Sequence, residues 1–99
     1  MLKPTTKEMW GTSLKGYLTA TYDELVAKFG KPNAGASGDG KVKAEWVLEA
    51  NGTIVTIYDY KEYSKSVKYV TDWHIGGFKT TAVELVRKAF PNHNVRAYS

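Results

Sequence analysis

The sequence predicts an α+β domain, an antiparallel sheet of three to five strands with two α-helices packed on one face. Three observations carry this. Lys41 to Tyr60 alternates apolar and polar residues around Asn51-Gly52, the strongest two-residue hairpin signal. Two other segments, Thr21 to Phe29 and Thr81 to Phe90, carry helix start and stop signals. Finally, the 99 residues contain 42% hydrophobic and 13% aromatic side chains, enough for one folded domain without staples.

Taken in order, residues 1–10 form a candidate flexible arm. The first strand falls within Gly11 to Ala20, around Leu14, Tyr17 and Leu18. Thr21 with Glu24 three residues on is a capping box, and Asp23 and Glu24 suit the positive end of a helix dipole. Leu25, Val26 and Phe29 give that helix an apolar stripe, Gly30 supplies its left-handed stop, and Pro32 blocks continuation. Tyr22–Phe29 is therefore a two-turn helix. Asn33 to Gly40 is a loop rich in Gly, Ala and Ser.

In the hairpin, a two-residue turn sets Leu48 opposite Val55 and Trp46 opposite Ile57. Val42, Ala44, Trp46, Leu48, Val55 and Ile57 then share the core face. The other face carries Lys43, Glu45, Val47, Ile54, Thr56, Tyr58 and Tyr60. It is half aromatic and β-branched, so it is either covered or used. After the polar connection Lys61–Lys68, a third strand is expected over Val67 to Ile75, with Val67, Tyr69, Trp73 and Ile75 mostly on one side and Gly76-Gly77 ending it. Thr81 with Glu84 reads as a second capping box, and Ala82, Leu85, Val86, Ala89 and Phe90 recur at helical spacing. Pro91 stops that helix. Val95 to Tyr98 is a candidate edge strand, open to pairing with a second copy in a homodimer.

Composition narrows function. Without cysteine there is no disulfide framework, thiolate nucleophile or Cys-ligated zinc. No signal-peptide run or stretch of membrane-spanning length is present, so no membrane association is expected. Net charge is +4, and 12 of the 14 basic residues are Lys. That is too little for an obligate nucleic-acid binder and the wrong sign for a DNA mimic.

Catalytic signals fail on context. Gly35 to Lys41 matches G-x-x-x-x-G-K, but Val42 follows and a strand comes next, whereas a phosphate loop must open a helix. His74 and His93 stand 19 positions apart and show no ligand spacing with Asp59 or Asp72. General-base work by His74 beside Asp72 needs a geometry that spacing does not supply. Glu24 and Glu84 are accounted for as caps. The chain is therefore expected to be no enzyme, with no catalytic residues, metal or cofactor.

The remaining candidate is a basic-aromatic cluster on the hairpin and its exit: Lys43, Tyr58, Tyr60, Lys61, Tyr63, Lys65, Lys68 and Tyr69. Tyrosines favour protein interfaces. Aromatics interleaved with Lys also suit stacked bases and phosphates of single-stranded nucleic acid. A solvated sheet face with ordinary β-forming tyrosines is the plain alternative. A third functional reading is a small ligand or nucleotide held in a cleft between sheet and helix. Trp46 is core by alternation, Trp73 belongs to core or sheet face, and Trp10 is either an anchor or a cap over the core.

Gly11-Thr12-Ser13-Leu14-Lys15-Gly16-Tyr17, Thr21-Tyr22-Asp23-Glu24-Leu25-Val26, Phe29-Gly30-Lys31-Pro32, Ala44-Glu45-Trp46, Thr56-Ile57-Tyr58-Asp59 and Trp73-His74-Ile75-Gly76-Gly77 together resemble small bacteriophage proteins of no assigned activity. The likeness runs from Gly11 to Phe90. It implies a phage-encoded accessory protein in the cytoplasm of a bacterial host, binding and modulating or inhibiting a host protein such as a defence component. Thr21 to Asp59 is also similar to the BamE-like and β-lactamase-inhibitor-protein modules, which are non-enzymatic binding scaffolds.

Overall fold

Along the chain run β1 (Lys3–Pro4), β2 (Ser13–Thr19), α1 (Tyr22–Phe29), β3 (Glu45–Ala50), β4 (Thr53–Tyr58), a 3₁₀ turn (Val67–Tyr69), β5 (Asp72–Gly77), α2 (Thr81–Ala89) and β6 (Asn94–Ala97). The structure is a computed structural model and describes residues 1–7, 9–34 and 41–98. Its strands form one antiparallel sheet of six in the order β1-β3-β4-β5-β2-β6, one strand wider than expected. The extra strand is β1, within the segment expected as an arm. Leu2 is buried in the core beside it, and Lys3 and Pro4 pair with Glu49 and Leu48.

The central hairpin follows its sequence. Asn51 and Gly52 take φ of 50° and 82°, the left-handed pair that a tight hairpin turn requires. The register sets Leu48 against Val55 and Trp46 against Ile57. Trp46, Leu48, Val55 and Ile57 are fully buried beneath both helices, as are Trp73 and Ile75 from β5.

The two core tryptophans also locate α1. Their rings meet edge-on at 5.4 Å. An indole N–H removed from water needs an acceptor. Trp73 donates to the Ala20 carbonyl and Trp46 to the Gly30 carbonyl, each at 2.8 Å. These carbonyls bracket α1, so the helix is tied to the sheet at both ends. Its capping box is formed: Thr21 Oγ1 accepts from the Glu24 amide at 3.1 Å, and Glu24 Oε1 accepts from the Thr21 amide at 2.8 Å. At the other end Gly30 has φ 82° and donates to the Val26 carbonyl.

Two local expectations are corrected. Val67–Tyr69 is not strand but a 3₁₀ turn beside α1, closed by Tyr69 N–H to the Ser66 carbonyl and Val70 N–H to the Val67 carbonyl. Tyr69 is consequently exposed and does not share the face of Trp73 and Ile75. Likewise, Thr81 and Glu84 form no capping box. Thr80 already has helical backbone angles (φ −63°, ψ −19°), so Thr81 lies inside the first turn, and a capping residue must be extended for its side chain to reach back. Glu84 instead accepts from Arg87 Nη1 at 2.6–2.7 Å. Ala82, Val83, Val86 and Phe90 still form a buried stripe, and Phe90 meets Phe29 of α1 at 5.9 Å.

Gly76 and Gly77 are the last residues of β5 rather than its stop. A Cβ on Gly76 would come within 2.4 Å of Thr56 Oγ1, so the close approach of β4 side chains requires glycine there. The Gly-rich loop and its phosphate-loop look-alike lie largely at 35–40, outside the described residues.

Candidate functional site

Side chains pointing away from the helices build the site. Strand pairing aligns five of them in a single row across five strands. Glu45 of β3 stands opposite Tyr58 of β4, and Tyr58 opposite His74 of β5. His74 in turn faces Tyr17 of β2, and Tyr17 faces Arg96 of β6. The row begins with a carboxylate, ends with a guanidinium, and is aromatic between.

His74 is its centre. Its ring lies 5.3 Å from Tyr17, 5.4 Å from Tyr58 and 5.3 Å from Tyr60. The Arg96 guanidinium sits 5.3 Å over the Tyr17 ring, and Lys61 Nζ sits 5.3 Å over Tyr60. Tyr98 extends the cluster, 6.2 Å from Tyr17. These ring pairs, edge-on at Tyr17 and tilted at Tyr58 and Tyr60, together with the cation–ring contacts hold the surface in one arrangement.

Partial burial governs the ionisation of the row. It lowers the His74 pKa, against the opposing pull of Asp59 and Glu62, and so favours the neutral imidazole. Burial first, then the Asp59 charge, raises the Glu45 pKa. Burial first, then Glu45, raises that of Tyr58. The acids that act on His74 are thus Asp59 and Glu62, not the neighbouring Asp72.

A strap joins β1 to β2 and must pass over β3, β4 and β5 to do so. It runs over the outer face, where Met9 and Trp10 border a shallow groove of 250 Å³ with Glu45, Thr56, Tyr58 and Gly76. Val47, Ile54 and Thr56 are buried on this face. The face is therefore covered along one part and open around His74. Trp10 stands at the boundary, 80% exposed, and caps no core.

The residues expected to form the site separate into groups. Tyr58, Tyr60 and Lys61 converge on His74. Lys43 is an internal brace, its Nζ donating to the carbonyls of Glu62 and Lys65 at 2.6 Å each. Beside it the buried Asp59 Oδ1 accepts the Lys43 and Ala44 amides at 2.8 and 2.9 Å, while Oδ2 has no hydrogen-bond partner among the described residues. Lys65 approaches Glu62 at 4.0 Å, and Tyr63 projects from the same loop into solvent. Lys68 and Tyr69 ride on the 3₁₀ turn by α1, away from the row. Sequence reasoning put Glu45 on this face without choosing it, weighed His74 only as a base or metal ligand, and missed Tyr17, Arg96 and Tyr98 as site members. Only the pairing of distant strands brings His74, Tyr17, Arg96 and Tyr98 together.

A second groove of 640 Å³ lies between α1 and the end of α2, where His93 Nε2 meets Glu24 Oε2 at 2.7 Å and Lys28 covers the Phe90 ring. These contacts join α1 to the loop after α2. Among the described residues no group of three His, Cys, Asp or Glu side chains is placed to hold a metal, and no helix is long and apolar enough to cross a membrane. Comparison with family models, curated proteins and solved structures finds no match to this chain.

Proposed function

We propose that this protein is a non-catalytic binding module that docks a protein partner on the outer face of its sheet. The observation that carries this is the exposed Trp10 standing beside the braced Tyr58–His74–Tyr17–Arg96 row. Trp, Tyr and Arg are the side chains that dominate binding energy at protein interfaces, and rings already fixed by their neighbours lose little freedom on docking. The charge gradient along the row gives the contact a direction. With the bacteriophage resemblance, the partner is a bacterial host protein in the cytoplasm, and binding modulates or inhibits it.

A photo-crosslinking amino acid placed at position 9, beside the intact Trp10, tests this inside bacterial cells, with the same group at Lys88 of α2 as control. A discrete protein adduct is expected from position 9, absent with Tyr60→Ala and absent from position 88. Identical patterns from both positions would remove the outer face from consideration. The nucleic-acid alternative draws on Arg96 and Lys61 lying over aromatic rings. It would show instead as oligonucleotide binding that falls steeply with salt.

A further inference from the structure

The sheet leaves one edge open, and the register identifies the groups there. Ala20 N–H donates to the Thr71 carbonyl, so in the pairing of β2 with β5 the bonded residues are Gly16, Leu18 and Ala20. Their alternates point to β6, where Tyr98 N–H donates to the Lys15 carbonyl at 2.8 Å. Alternation along β6 then turns Asn94, Arg96 and Tyr98 towards β2, and Val95 and Ala97 away from it. Among the described residues no strand lies beyond β6. The Val95 carbonyl accepts from Arg87 Nη2 of α2 at 3.2 Å. The Val95 amide and both backbone groups of Ala97 are directed outward, and Ala97 is exposed.

From this geometry we infer that β6 takes an extended, acidic segment of the partner protein as a seventh antiparallel strand. The inference rests on the reading of the chain as a binding module and specifies the form of the partner. Backbone pairing with Ala97 and Val95 would supply affinity, and the side chains flanking the new strand would supply selectivity. The basic flank is Arg96 on the outer face, in a chain of net charge +4, while Arg87 on the helical side is paired with Glu84. Opposite charges across neighbouring strands stabilise and like charges oppose. A second copy of this chain would bring another Arg96 and another +4 to the same seam, which disfavours self-pairing and selects an acidic segment.

Two features distinguish this edge from one that merely ends a sheet. Although only four residues long, it carries no proline or bulge, and its one charged side chain, Arg96, lies over Tyr17. It also continues directly into the row, because Arg96 lies over Tyr17 and Tyr98 contacts the same ring. An added strand would extend that aromatic surface rather than stand apart from it.

The test is selection from a display library of random eight-residue peptides, followed by fluorescence anisotropy on the enriched sequences. These are expected to alternate β-branched residues with Asp or Glu. Ala97→Pro removes an outward N–H without breaking a bond to β2, so it should leave the thermal midpoint unchanged while weakening these peptides about tenfold, the equivalent of one or two hydrogen bonds. Arg96→Glu should weaken them similarly and favour the same peptides with Lys in place of the acids. Failure to enrich acidic strand-forming peptides, or equal affinity for wild type and Ala97→Pro, would overturn the inference. Peptides insensitive to Ala97→Pro but lost with Trp10→Ala or Tyr60→Ala would overturn strand addition and leave the outer-face reading standing. Insensitivity to all three substitutions would count against both.

Discussion

The β3 edge of the sheet is closed residue by residue, whereas the β6 edge is left with hydrogen-bonding groups in solvent. On the β3 side the Glu45 carbonyl accepts from the Ala34 amide. The Asn33 side chain sits beside Val47 like a missing residue of a strand, its Oδ1 accepting the Val47 amide at 2.7 Å and its Nδ2 donating to the Val47 carbonyl at 3.0 Å. Thr5 N–H reaches the same carbonyl at 3.0 Å, and β1 pairs with Leu48 and Glu49. Thr5 and Lys7 then both hold the Glu49 carboxylate, and these contacts, that of Lys7 foremost, lower its pKa. Pro4 ends the series without a donor. On the β6 side, among the described residues, only Arg87 reaches the outward backbone. An unpaired edge invites association, so a molecule that seals one edge so fully and not the other is best understood as using the second.

Proline substitution gives the sharpest break in this comparison. Val47→Pro removes an amide that Asn33 holds in a buried strand, and it should cost about 3 kcal/mol or more in denaturant unfolding. Ala97→Pro should change stability by less than about 0.5 kcal/mol, because the lost donor faced water. Equal costs at the two positions would refute the assignment of outward groups on β6. Asn33→Ala comes next. It strands the Val47 amide and weakens the hold on the strap, for an expected loss of about 2 kcal/mol, with increased exchange of the Thr5 and Val47 amides.

The smallest effects come from two members of the row, His74 at its centre and Glu45 at its β3 end. The His74 pKa is lowered below 6.5, so the unfolded chain binds the proton more readily. Its contribution is full above that value and is lost as pH falls through the folded pKa. His74→Gln should therefore flatten the decline in stability between pH 7 and 5. Glu45, on β3, behaves oppositely. Its pKa is raised above 4.5, so its favourable contribution exists at low pH and disappears as pH rises through the folded value. Glu45→Gln should be modestly more stable than wild type at pH 7 and no more stable at pH 3. A reversed order in pH-dependent thermal melts would mean that the row is more solvated than its burial indicates.

Local chemistry was read correctly wherever a short stretch carried its own geometry. The Asn51-Gly52 turn set the hairpin register over both strands, and the Thr21–Glu24 box with Gly30 bounded α1 at Tyr22–Phe29. Reading failed where a pattern had two local solutions. Val67 and Tyr69 alternate like strand residues, but the Ser66 carbonyl offered a 3₁₀ bond, and Val67 and Val70 both found the core from a turn. Thr81 had the spacing of a cap, but helical angles at Thr80 moved the start one residue earlier. Of the expected binding residues, Tyr58 belongs to the row, and Tyr60 and Lys61 gather beside it at His74. Lys43 looked like a surface cation because sequence does not reveal that the loop at Glu62–Lys65 folds back onto its amine.

By itself, then, the sequence determined the α+β class, both helix positions, the hairpin and its core face. Each of these rests on interactions between residues a few positions apart, or on alternation that burial must respect. Only the tertiary structure decided that the N-terminal residues close one edge, that the strap covers one part of the outer face, and that Glu45, Tyr58, His74, Tyr17 and Arg96 lie in line. The order β1-β3-β4-β5-β2-β6 places β2 between two strands that follow it by more than fifty residues. Such pairing is selected by the burial of the whole core, and no local spacing records it.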